Sequence, residues 1–94
     1  MSYKLRFVPL ALKEWKKLAA PIKSQFKKKL AERLENPRVP GDKLRGYQSV
    51  YKIKLRSVGY RLVYEVVDDE LLVYVLAVGK RDRGQVYAAF KARD

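Results

Sequence analysis

The chain contains no cysteine and no histidine. The first absence excludes a disulfide scaffold and any Cys-based zinc site. The second removes the usual near-neutral general base and the commonest metal ligand, so no metal or other cofactor is expected. Acid is scarce as well: 10 Asp plus Glu stand against 22 Lys plus Arg, a formal net charge of +12. No stretch approaches the roughly 18 apolar residues that span a bilayer, and no signal-peptide-like apolar core follows the first residues. A cytoplasmic protein with no membrane partner is therefore expected. What the chain has is 48% hydrophobic and 34% charged residues in a length of 94, which suits one globular domain over residues 1–94 with one modest core. Such a charge excess makes a strong positive field, and the commonest partner for it is a polyanion.

Residues 2–8, SYKLRFV, alternate, with Tyr3, Leu5 and Phe7 facing one way and Lys4 and Arg6 the other, which predicts a short strand. Pro9 ends it and opens a helix in which Ala11, Trp15, Leu18 and Ile22 recur near helical spacing. Pro21 is placed to open a second helix, whose Ile22, Phe26, Leu30 and Leu34 form one stripe. Lys23, Lys27, Lys28, Lys29 and Arg33 occupy its other side, the pattern of a solvated face, and Asn36-Pro37 stops it. Residues 36–46 have no period and read as a loop. Strands follow over roughly 48–56, 60–67 and 71–78, with Asp68-Asp69 as a turn and Gly79 as the end of the last strand. A short, weak terminal helix closes the chain. The order β-α-α-β-β-β-α predicts an α+β fold: a mostly antiparallel four-stranded sheet with a two-helix hairpin on one face.

The cations are informative in the stretch YKIKLRSVGYRLVYEV, residues 51–66. Tyr51, Ile53 and Leu55 share one strand face, and Lys52, Lys54 and Arg56 share the other. An even connecting loop keeps apolar residues together toward the helices; an odd one mixes the faces and is rejected. The expected register sets Arg56 opposite Arg61, Leu55 opposite Leu62, and Lys52 opposite Glu65. Lys52, Lys54, Arg56 and Arg61 then share an open basic face, with Lys80, Arg81 and Arg83 closing one edge. Like charges side by side on strands cost stability, so an external anion is expected to compensate. Basic residues on a solvent face also commonly serve solubility alone.

Such a surface has usable chemistry. RNA cleavage by its own 2′-hydroxyl needs a base, an acid for the leaving 5′-oxygen and cations for the phosphorane. Crowding by Lys52, Arg56 and Arg61 disfavours the charged form of Lys54, leaving neutral amine as a base. Arg61 and Arg81 suit phosphate oxygens through their planar fork. Tyr87 is suited to stacking on a base. The set is a weak catalyst unaided, and a partner that orients the RNA supplies the missing acceleration.

The run KLRG…YKIKLRSVGYRLVYEV…VYVLAVGKRDRGQVY, together with LALKEWKKL…KKKLAERLENPR, resembles the RelE toxins, the mRNA interferases of bacterial toxin–antitoxin modules. GYRLVYEV and VGKRDR are shared with the wider RelE/ParE superfamily. YKIKLR with the later Arg81 to Tyr87 spacing is specific to the nuclease branch. The resemblance implies a small RNase-like fold that enters the ribosomal A site, beside 16S ribosomal RNA, and cuts the mRNA codon there. It implies catalytic roles for Lys52, Lys54, Arg61, Arg81 and Tyr87, with Lys54 as base, Lys52 and Arg61 stabilising charge, and Arg81 assisting the leaving oxygen. It implies RNA-holding roles for Lys43, Arg45, Arg56, Lys80 and Arg83, a RelB-like antitoxin as partner, and a mobile terminal helix that Gly84 loosens further. The alternatives are a ParE-like poison of DNA gyrase on the same fold, against which YKIKLR speaks, and a noncatalytic RNA-binding protein.

Overall fold

The computed structural model describes residues 2–81 and 85–93. Strand β1 (Lys4–Phe7) leads into helix α1 (Pro9–Lys16), and α2 (Ala20–Glu35) follows after a tight link. Then come β2 (Val50–Leu55), β3 (Tyr60–Val67), β4 (Leu72–Lys80) and α3 (Gln85–Arg93). Pro9 and Pro21 stand where a missing N–H costs nothing, in the first turn of α1 and of α2, and Asn36 caps the end of α2. The sheet order is β1-β4-β3-β2; β1 runs parallel to β4, and the other pairs are antiparallel. The mixed α+β architecture is thus as expected, with one parallel pair.

Two apolar clusters hold the sheet between layers. On one face, Phe26 and Leu30 of α2 and Ala11 of α1 pack on Ile53, Leu55, Leu62, Tyr64, Val73 and Val75. Phe7, Trp15 and Phe26 form an aromatic row there, with centroids 5.4 and 6.2 Å apart. On the opposite face, α3 lays Val86 and Phe90 over Val50, Val63 and Ala77, and Phe90 meets Tyr47 edge-on at 5.1 Å. The face expected to be open therefore carries a helix, because Val50, Val63 and Ala77 leave apolar area that needs a cover.

Three local expectations change. Gly79 does not end β4, which continues through it to Lys80. The Asp68-Asp69 turn is a short 3₁₀ turn over Asp68–Glu70, closed by Leu71 at φ 51°. The 36–46 loop contains another such turn at Pro40–Asp42, and Lys43 bridges to Tyr51 at the edge of β2. No helix among the described residues is long and apolar enough to cross a membrane.

Candidate active site

The faces of β2 and β3 are as parity requires, but the register differs by two residues from the expectation. Lys54, not Arg56, lies opposite Arg61; Leu55 pairs with Tyr60, Ile53 with Leu62, and Val50 rather than Lys52 with Glu65. The turn closes on Leu55, whose carbonyl accepts from Val58 N–H and Gly59 N–H at 3.3 and 2.9 Å. Gly59 must lie inside this turn because its φ of 68° is strained for residues with a Cβ. Arg56 consequently leaves the ladder and stands exposed in the loop.

On β4, Gly79 is the partner of Arg61 and Lys80 that of Tyr60. Arg81 N–H donates to Gly59 O at 2.8 Å and so continues the ladder one step beyond the strand. Strand alternation returns Arg81 to the face of Gly79 and Arg61. Lys54, Arg61 and Arg81 therefore hold neighbouring backbone positions at one end of the sheet, on the strand face opposite α1 and α2. Lys52 shares their face one repeat further along β2, and Lys80 points to the other side.

Arg61 differs from the exposed cation that the sequence predicts. It is only 5% exposed, and its guanidinium donates to Tyr60 O at 2.9 Å. Val86 of α3 comes within 3.8 Å of where a Cβ on Gly79 would sit, so the helix roofs the strand position beside Arg61. Lys52 and Lys54 are half-buried, as is Tyr87 on α3 against the second apolar cluster. Lys43, Arg45, Lys80 and Arg81 are exposed. Arg83 and Gly84 lie outside the described residues.

Arg33 is the functional neighbour that the sequence reading misses. It belongs to the apparently solvated side of α2, yet its side chain is only 12% exposed. It ion-pairs with Asp42 at 2.5 Å and donates to Tyr64 Oη at 2.9 Å and to the carbonyl of Lys52 at 3.2 Å. Burial works against its charge, but the bonds to Tyr64 and Asp42 outweigh it and raise its pKa. Tyr64 in turn donates to Pro37 O at 2.7 Å, and burial raises its phenol above the ordinary value despite Arg33. One guanidinium thus ties α2, the 36–46 loop and β2 together, and steadies the strand that carries both lysines. A second hub joins the ends of the sheet: Asp68 pairs with Arg38 at 2.5 Å and accepts from Tyr3 Oη at 2.7 Å. The Arg38 bond first, then that of Tyr3, holds the Asp68 carboxyl below its usual range.

Among the described residues, no cluster of acids suits a metal ion. The basic groups at this end of the sheet are amines and guanidiniums, and no acid among the described residues is paired to Lys54 or Arg61.

Comparison with known proteins agrees with this chemistry. The family described as the ParE toxin of the type II toxin–antitoxin system parDE matches residues 5–84. The mRNA interferase toxin RelE of Escherichia coli (strain K12) is 56% identical over 88 residues, covering 94% of this chain and 93% of that one. A solved structure of an arginine-substituted E. coli RelE in the free state superposes with a TM-score of 0.90 at 52% identity, covering 99% of this chain and 98% of that one. RelE in the intact E. coli RelBE toxin–antitoxin complex gives 0.84 at 55% identity, over 87% of this chain and 100% of the other. With a matching fold and near-full-length identity, this chain belongs to the ParE toxin family of type II toxin–antitoxin systems, as a toxin of the RelE type.

Proposed function

We propose that this chain is a ribosome-dependent endoribonuclease that cuts mRNA in the ribosomal A site, and that Lys54, Arg61 and Arg81 carry the reaction. The observation that supports this most is the direct pairing of Lys54 with Arg61, with Arg81 on the next step of the ladder beyond Gly79. Lys54 Nζ takes the proton of the 2′-hydroxyl. The 2′-oxygen attacks the adjacent phosphorus, and the P–O5′ bond breaks, leaving a 2′,3′-cyclic phosphate and a 5′-hydroxyl. Arg61 and Lys52 neutralise the phosphorane, where prearranged charge is worth several kcal/mol. Arg81 binds the departing 5′-oxygen and assists its protonation. Tyr87 stacks on the nucleotide to be cut, while Lys43, Arg45, Arg56, Lys80 and Arg83 hold the flanking phosphates.

Because Arg61 is covered in this structure, RNA reaches its guanidinium only after α3 shifts. The same basic face suits an acidic antitoxin of the RelB kind, the partner seen with RelE in the E. coli RelBE complex. Both partners act in the cytoplasm, where ribosomes are met.

The deciding experiment maps 5′ ends of mRNA on programmed ribosomes with the purified protein and with Lys54→Ala. The wild type produces cuts within the A-site codon; Lys54→Ala, folded by circular dichroism, loses at least 100-fold in rate. Undiminished cutting by Lys54→Ala removes the assignment of the base. DNA breaks with gyrase, and no cut mRNA, would place the chain with the gyrase poisons instead.

A further inference from the structure

A polar cleft of about 580 Å³ opens between α2 and the outer edge of β2. Its lining includes Gln25 and Lys29 from α2, Lys54 from β2, and Arg56 and Ser57 from the following turn. Asp42 and Arg33 also border it, but they neutralise each other in their 2.5 Å ion pair. Lys29, Lys54 and Arg56 form no ion pair among the described residues. Two uncompensated cations, Lys29 from the helix and Arg56 from the turn, thus border one solvent-filled space, along the strand that carries the lysine assigned as base. β2 is the last strand of the sheet, so the cleft lies open along its length beyond Tyr51.

From this arrangement we infer a second RNA subsite: the cleft takes the backbone of the RNA strand that continues past the scissile bond, with Lys29 and Arg56 each contacting one phosphate. The inference rests on the RNA-cleaving function above and adds to it a path for the chain around the edge of β2. Lys29 is the unexpected member, since its helix face is otherwise an array of solvated lysines. Lys27, two residues away and equally charged, lines the apolar groove on the other flank of α2 and has no part in the cleft. An RNA backbone fits better than a protein segment because the cleft is polar and its cations run on directly from the catalytic row.

The test measures binding of Lys29→Gln, Arg56→Gln and Lys27→Gln proteins to ribosomes programmed with mRNA whose A-site 2′-hydroxyls are methylated, so that nothing is cut, across a salt series. Losing one phosphate contact to a single strand lowers the slope of log affinity against log salt by about 0.7, which is about fourfold in affinity at 0.15 M salt. Lys29→Gln and Arg56→Gln each show that change, and Lys27→Gln does not. Equal losses for Lys27→Gln and Lys29→Gln would mean a diffuse field and no subsite. Unchanged ribosome binding with weakened binding of an acidic antitoxin peptide would assign the cleft to that peptide and overturn the inference. Either result leaves A-site cutting by the wild type intact, so failure of the subsite is distinct from failure of the function.

Discussion

Arg61→Met should make the free protein more stable while removing its activity. In this structure the Arg61 guanidinium is covered, its hydrogen bond among the described residues goes to the neighbouring Tyr60 carbonyl, and another cation, Lys54, stands directly opposite. Like charges facing each other across strands cost up to about 1 kcal/mol. Replacing a buried charged group by an apolar one of similar length is commonly neutral or stabilising by roughly 1–4 kcal/mol, against which the lost hydrogen bond weighs about 1 kcal/mol. Methionine keeps an unbranched stem of similar length at this buried position. The net expectation is a gain of about 1–2 kcal/mol, or roughly 5–15 °C in Tm for a domain of this size. Cleavage on the ribosome falls about 10²–10³-fold, because the phosphorane loses a prearranged cation. Urea denaturation and thermal scans give the stability, and single-turnover cleavage gives the rate; Arg61→Lys, which keeps the charge, shows no stabilisation. An Arg61→Met protein less stable than wild type, or one that still cuts normally, would refute the claim that a catalytic charge is held here at a cost to the fold.

Arg33→Met should lose about 2–3 kcal/mol in urea denaturation, since Asp42, Tyr64 and the Lys52 carbonyl all lose a charged donor. The raised phenol of Tyr64 makes stability depend on alkaline pH: the contribution is whole below the ordinary tyrosine value near 10 and is lost as pH rises through the folded value. Tyr64→Phe should flatten that alkaline decline, and an unchanged profile would remove Tyr64 as its source. Phe90→Ala should leave the α1–α2 side of the sheet protected while hydrogen exchange in α3 speeds up, with a stability loss of about 3 kcal/mol at most.

Periodicity and proline placement in the sequence settle the helices and strands, and strand alternation settles which cations share a face. Alternation is blind to a slip of two, however, because such a slip leaves every side chain on its own face. The missing datum was the turn: either register keeps Gly59 in the loop, but its positive φ and its N–H bond to Leu55 O make it the last loop residue, which pairs Leu55 with Tyr60 and moves the Arg61 partner from Arg56 to Lys54. Arg33 was hidden for a different reason. Helical spacing puts it at the margin of the apolar stripe beside Leu34, where a long side chain turns either way. The signal that pointed inward was Asp42, the sole acid between Glu35 and Glu65. The cover over Arg61 was not legible, since α3 is short and its apolar residues do not by themselves say which sheet face they meet; the sheet's own Val50, Val63 and Ala77 show where it rests.

The place of β1 has a consequence for biosynthesis. Lys4 through Phe7 add to the sheet only beside Leu72 through Val75, so β1 finds its place only once β4 has been made. Long-range closure of that kind is slow and demands almost the whole polypeptide. A nascent toxin therefore has no finished sheet until β4 has emerged to receive β1.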